Sequence, residues 1–189
     1  MHSVCSWYFP DNPYPESTGS SWWKHLFYNF ERFYGENRIF NKTRTARMND
    51  TFKSLILDTK SYQLYPDAKS VLAQCKALGF KNFILSNNFP ELPDIIAQLG
   101  LADCFQSYVI SSRLGYEKPR QELFSWALRT AGYPDIAYMI GDNPIADIEG
   151  GRTAGMRTIL VHRNCACQAD YICRELSEIP TLLSRNPEI

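Results

Sequence analysis

From Tyr65-Pro66 onward the chain alternates between two hydrophobic periods, and that alternation limits what it can fold into more than any other feature. Asp67 is a plausible N-cap for a helix carrying Ala68, Val71, Leu72, Cys75 and Leu78, which Gly79 ends. Phe80 to Leu85 is a continuous apolar-rich run that stops at Ser86. Leu92, Ile95, Ile96 and Leu99 recur at helical spacing before Gly100, and Tyr108-Val109-Ile110 follows as a short strand. Leu123, Phe124, Ala127, Leu128 and Ala131 form another helical stripe closed by Gly132. Strand 136–140, a helix over 144–154 ended by Gly155, and strand 158–161 repeat the pattern. Asp170 to Cys173 reads as an edge strand and Ser177 to Leu183 as a terminal helix. Strands alternating with helices of this length predict an α/β fold, a Rossmann-like parallel sheet with right-handed crossovers.

The N-terminal third reads differently. Residues 1–20 are rich in Pro, Ser, Gly and Asn and predict loop. Trp22, Trp23, Leu26, Phe27, Phe30, Phe33 and Tyr34 then recur at helical spacing up to Gly35, where a helix is expected to stop. An aromatic stripe of this kind usually faces a core. Residues 36–50 are polar and basic, a solvated helix face or a loop, and a shorter helix is expected from Asp50 to Asp58. Leu55-Ile56-Leu57 also has the look of a strand. The division that follows is 1–62, an N-terminal loop and helical region, and 63–189, an α/β core.

Composition removes some classes of function. Lys and Arg together number 20, as do Asp and Glu, so the formal net charge is zero and no basic stripe supports nucleic-acid binding. No apolar run approaches a membrane span, and Met1 to Trp7 lacks the basic and apolar regions of a secretory signal. Cys5, Cys75, Cys104, Cys165, Cys167 and Cys173 are scattered, which suits reduced thiols in a cytoplasmic protein. Cys165 and Cys167, with His162 and Cys173 near, do not have a usual zinc-ligand spacing.

Chemistry gathers at the expected strand ends. The run to Ile140 ends in Gly141-Asp142, and Asp147 follows five positions on. Gly141 permits a sharp turn. The carboxyl ends of strands are where open α/β sheets place their sites. Two carboxylates there suit a hard cation such as Mg²⁺, which takes oxygen ligands and keeps several waters. Ser86, Asn87 and Asn88 follow the first strand of the alternating region and can donate hydrogen bonds to an anion. Lys118 lies in Gly115-Tyr-Glu-Lys-Pro119 just before a helix, with Pro119 suited to its first position, and its ammonium could neutralise a phosphoryl oxygen. The ordered set of hydroxyl, ammonium and paired acids is far more specific than any member of it.

With these residues the chain resembles the haloacid dehalogenase-like superfamily of hydrolases. Ser86 matches the family's second motif, Lys118 its third, and Gly141-Asp142 with Asp147 its fourth, over about residues 60–165. The segment from Trp22 to about Asp58 resembles the helical cap of the subgroup whose cap follows the first motif. The resemblance implies a Mg²⁺ cofactor and hydrolysis of a small phosphorylated substrate through an aspartyl phosphate. It assigns Ser86 and Lys118 to catalysis, and Ser86, Asn87 and Lys118 to the phosphate. It assigns Asp142 to the metal and Asp147 to the metal or to orienting Lys118.

The family's first motif, an apolar strand ending in Asp-x-Asp, has no counterpart. These 189 residues contain no Asp-x-Asp. Asp11 is followed by Asn12 and Pro13, and Asp58 by Thr59 and Lys60, so neither has the second acid. The expectation is a chain that starts inside the cap region, with the central strand of its sheet missing. Four or five buried side chains at about 1.5–3 kcal/mol each would be lost with that strand. That is comparable to a domain's whole stability of about 5–15 kcal/mol. A surrogate strand from residues 1–10 or 54–58 is one remedy. The competing expectation is a catalytically inactive binding protein, with Trp22-Trp23 as an exposed contact surface.

Overall fold

The computed structural model describes residues 12–37, 41–163, 165 and 167–185. The chain enters through Tyr14, whose backbone N–H donates to the Gly115 carbonyl at 2.8 Å. The surrogate strand expected from residues 1–10 lies outside the described residues.

Helix α1 spans Trp22–Glu36. Trp22, Trp23, Leu26 and Phe30 are buried on one face, where they join Tyr14, Phe89 and Ile95 in one apolar cluster. The stripe therefore faces a core, and the exposed Trp22-Trp23 contact surface is corrected: the two indoles are 0% and 5% exposed. The helix also passes through Gly35. It stops at Asn37, whose backbone N–H and side-chain amide both donate to the Phe33 carbonyl, at 3.0 and 2.8 Å. A side chain satisfying the last turn ends this helix where glycine alone does not.

Helix α2 runs unbroken over Lys42–Leu57. Asn41 caps it by accepting from the Arg44 N–H at 3.0 Å. The short helix expected from Asp50 and the strand expected over Leu55-Ile56-Leu57 are both the end of this one helix. Phe52 and Ile56, four apart, pack on the α1 cluster, and the Phe30 and Phe52 rings meet edge to face at 5.3 Å. One helical turn brings those two within about 6 Å of each other on one face, whereas a strand would set them about 13 Å apart. Residues 54–58 therefore supply no surrogate strand.

After helix α3 (Ala68–Ala77) the expected alternation is present throughout. It comprises β1 (Phe83–Ser86), α4 (Leu92–Gln98), β2 (Ser107–Ile110), α5 (Ser111–Leu114), α6 (Gln121–Thr130), β3 (Tyr138–Gly141), a helical turn at Pro144–Glu149, α7 (Gly150–Thr153), β4 (Arg157–Val161), β5 (Tyr171–Cys173) and α8 (Glu178–Arg185). Every strand pair is parallel, with Ser86 opposite Ile110, Gly141 opposite Leu160 and Val161 opposite Cys173.

The strands form two sheets, β1-β2 and β3-β4-β5. Among the described residues no strand pairs with the second edge of β1 or of β3. Burial follows this division. In β4, flanked on both sides, Thr158 to Val161 are buried, whereas all four β1 residues are only half-buried and Ile140 in β3 is 37% exposed. Parallel strands are normally covered throughout, so the incomplete burial marks the unpaired edges. Helix α6 packs on β1 and β2 and also on α7, holding the two halves together on one face.

Candidate active site

Three segments converge at the carboxyl ends of β1 and β3: the loop after β1, the loop before α6 and the turn after β3. The loop after β1 carries Ser86, half-buried, and then Asn87. The Asn87 side chain accepts from the Lys118 backbone N–H at 2.7 Å and donates to the Lys118 carbonyl at 3.0 Å. It is thus a two-point clamp on the lysine's backbone. One of its two amide protons is used in the clamp, so the second stays available to an anion.

Lys118 is 9% exposed. Its ammonium donates to the Leu85 carbonyl at 2.9 Å and to Asp147 Oδ1 at 2.6 Å. An ammonium has three protons, so one remains for a ligand oxygen beside Ser86. Pro119 is not the first helical residue as expected. Arg120 is the extended N-cap and α6 starts at Gln121, with the Arg120 N–H bonded to the Glu117 carbonyl at 2.8 Å. Lys118 is therefore held by the Asn87 clamp and its own ion pair, and the helix terminus is two residues away.

Asp147 reaches this point by an unusual turn. Asn143 caps Pro144–Glu149 by accepting from Ile145 N–H at 3.0 Å and Ala146 N–H at 2.9 Å. The Asn143 carbonyl accepts from both Asp147 N–H at 2.9 Å and Ile148 N–H at 3.2 Å, which widens the first turn to the π form. The widened turn brings Asp147 back over Gly141, where the carboxylate occupies the space a β-carbon would need. Asp147 is 5% exposed. Its Oδ2 accepts from the Asn143 N–H at 3.0 Å, and its Oδ1 takes Lys118. Each oxygen accepts one bond, and the carboxylate holds the ammonium in place.

Asp142 stands at the same strand end but is exposed, with Arg163 at 3.4 Å from its Oδ2. Such an exposed pair contributes little to stability. Asp142 offers an accessible carboxylate, and each Asp147 oxygen keeps a second lone pair. Mg²⁺ is commonly held by one or two carboxylates with waters completing its shell, and this donor set fits that manner of binding. Among the described residues no group of three or more His, Cys, Asp or Glu side chains converges as an all-protein metal cage.

The structure therefore brings together Ser86, Asn87, Lys118, Asp142 and Asp147 at one strand-end site. Asp58 is apart from this set in character: it is exposed, in the turn after α2, and accepts from the Lys60 N–H at 3.0 Å. Sequence reasoning missed Glu117, which is 2% exposed beside Lys118 and accepts from the Tyr14 hydroxyl at 2.9 Å. Burial and the Glu117 charge push the Tyr14 phenol well above its usual value, so it stays a neutral donor. It also missed the Asn143 cap, which the Asn143-Pro144 pair before a helix could have signalled.

A parallel α/β unit with an ammonium, a hydroxyl and two acids at its strand ends defines a hydrolase of the Rossmann-like class. Residues 10–155 match the model of one such family, "Hydrolase: haloacid dehalogenase-like hydrolase", and the chain belongs to that family. The phosphoserine phosphatase of Thermus thermophilus is 35% identical over 119 residues, which is 62% of this chain and 48% of that protein. The human haloacid dehalogenase-like hydrolase domain-containing protein 3 is 33% identical over 102 residues, 53% of this chain and 41% of that one. The match thus spans about half the length of these relatives. Among solved structures, the putative HAD-hydrolase YfnB from Bacillus subtilis superposes with a TM-score of 0.71 at 21% identity, covering 85% of this chain and 72% of that one. That is a likeness of fold. The 2-haloacid dehalogenase from Pseudomonas syringae is similar at a TM-score of 0.61 and 26% identity, covering 88% and 71%. No helix among the described residues is long and apolar enough to cross a membrane.

Proposed function

We propose that the site binds a small phosphorylated metabolite with Mg²⁺, in the manner of a phosphate-monoester hydrolase. The observation that carries this reading is the buried ammonium of Lys118, fixed by Asp147 and the Leu85 carbonyl with one proton to spare. A charge held in place before the ligand arrives stabilises a phosphoryl oxygen without reorganisation. The Ser86 hydroxyl adds a second donor at the adjacent strand end. Asp142 and Asp147 would hold the ion, which would supply further neutralisation of phosphoryl charge when bound. Matches to phosphatases, among them phosphoserine phosphatase and the glyceraldehyde 3-phosphate phosphatase of Methanothermobacter thermautotrophicus, favour phosphate over halide chemistry. The thiols of Cys75, Cys104, Cys165, Cys167 and Cys173 are free, which accords with a cytoplasmic setting.

Turnover by these 189 residues is a separate question. They hold no Asp-x-Asp, and Asp58 is an exposed turn residue. Binding with hydrolysis near background is therefore the reading for this chain, which makes it a ligand-binding pseudoenzyme in isolation. Titration of inorganic phosphate with Mg²⁺, followed by phosphorus NMR or calorimetry, tests the binding. Saturable binding that Lys118→Met abolishes in a folded protein supports it. Equal binding by folded Lys118→Met removes it. Rapid Mg²⁺-dependent hydrolysis of an aryl phosphate that is lost in both Asp58→Asn and Asp142→Asn would overturn the reading of Asp58.

A further inference from the structure

Beside the Ser86 loop lies an open cleft of about 580 Å³ between α2 and the segment after β1. It is within the size range of small-molecule sites. Phe52, Leu55 and Ile56 line it from α2, Tyr62 from the segment after α2, and Asn88 and Phe89 from the loop that begins at Ser86. Asn87, which clamps Lys118, also lines the cavity, so this space adjoins the loop that carries the phosphate site.

Most of the polar groups around the cavity already make a hydrogen bond within the protein. The Tyr62 hydroxyl donates to the Ile56 carbonyl at 2.6 Å, and the Ser61 hydroxyl to the Leu55 carbonyl at 2.7 Å. The Asn87 carboxamide bonds both backbone groups of Lys118, which leaves it one amide proton. Asn88 Oδ1 accepts from the Phe89 N–H at 2.9 Å, which leaves its amide N–H₂ as a donor. Among the described residues no charged side chain lines the space. Three aromatic rings and two aliphatic side chains remain, and Leu55 is 59% exposed, an apolar surface turned outward. A ligand bearing its own ammonium or carboxylate would lose hydration here and find no counter-charge. An uncharged flat group would bury apolar surface and stack on rings.

We infer that this cavity selects phosphate monoesters whose alcohol part is uncharged and aromatic or apolar, and rejects amino-acid phosphates. The inference rests on the phosphoryl group binding at Ser86 and Lys118.

Calorimetric titrations of the full chain with Mg²⁺ and three probes test it: inorganic phosphate, phenyl phosphate and O-phosphoserine. Phenyl phosphate is expected to bind at least about tenfold more tightly than inorganic phosphate, from the ring's buried area. O-phosphoserine is expected to bind no more tightly than inorganic phosphate. Leu55→Glu, a change at an exposed helix position, is expected to remove the phenyl advantage while leaving inorganic phosphate unchanged. Equal affinity for phenyl phosphate and inorganic phosphate, or tighter binding of O-phosphoserine, overturns the inference and leaves the phosphoryl site standing. Unchanged phenyl phosphate affinity in Leu55→Glu also overturns it. Failure of all three probes to bind removes the phosphoryl reading and this inference with it.

Discussion

Lys118→Met tests the centre of the site through stability, independently of any ligand. The ammonium and Asp147 are 9% and 5% exposed as residues and 2.6 Å apart. Methionine keeps most of the stem's volume and removes the charge. Asp147 then remains buried with a single donor, the Asn143 N–H. Removing one partner of a buried pair costs about 3–5 kcal/mol, because the remaining charge stays desolvated without compensation. The lost bond to the Leu85 carbonyl falls within that range. With a urea slope of about 2 kcal/mol/M, the midpoint should fall by about 1.5–2.5 M. Neutralising the other side as well should recover much of this, so Lys118→Met/Asp147→Asn is expected to be about 2 kcal/mol more stable than the two single losses would sum to. Arg163→Ala is the control. Its pair with Asp142 is exposed and should be worth under about 0.5 kcal/mol. Urea unfolding followed by tryptophan fluorescence measures all four. A Lys118→Met loss below about 1 kcal/mol, with no recovery in the double variant, would mean the pair is solvated and the preorganised site is wrong.

Gly141→Ala should destabilise by about 1–3 kcal/mol, since the new β-carbon would overlap the Asp147 carboxylate; thermal melts should show it, and a neutral result would place Asp147 elsewhere. Tyr14→Phe removes a hydroxyl that donates to buried Glu117, and a loss of about 1.5–3 kcal/mol is expected in urea melts at neutral pH. His25 has its pKa lowered from 6.5 by burial, so the unfolded chain binds the proton more readily. Stability should therefore fall as pH drops through the window just below 6.5, and His25→Gln should flatten that part of the curve; an unchanged slope refutes the assignment. The unpaired edges of β1 and β3 should make the purified chain associate as concentration rises, visible in light scattering, whereas a monomer at high concentration with a cooperative melt would show those edges to be protected.

Local pattern alone placed the α/β core. The periods of Ala68 to Leu78, Leu92 to Leu99 and Leu123 to Ala131 recover α3, α4 and α6 to within a residue or two, because amphipathic spacing and a closing glycine are local signals. The same signals misled around α1 and α2. Gly35 does not stop a helix whose end is satisfied by Asn37, and Leu55 to Leu57 is apolar because Phe52 and Ile56 pack on α1, a contact no local window contains.

The site divides in the same way. Residue types at strand ends were enough to pick out Ser86, Lys118, Asp142 and Asp147, since those ends follow from the strand pattern and the chemistry from the side chains. Which oxygen or amide each one spends was decided only by the tertiary structure. Asn87 clamps the backbone of Lys118 across 31 residues of sequence, and Asp147 is bent back onto that lysine by a widened turn. Partners this far apart in the chain are chosen by packing, because a buried polar group takes whichever complement the fold brings within reach. The split of the sheet into β1-β2 and β3-β4-β5 had its signal in the sequence, in the absent Asp-x-Asp strand, whereas the partner and register of each strand were decided by pairing.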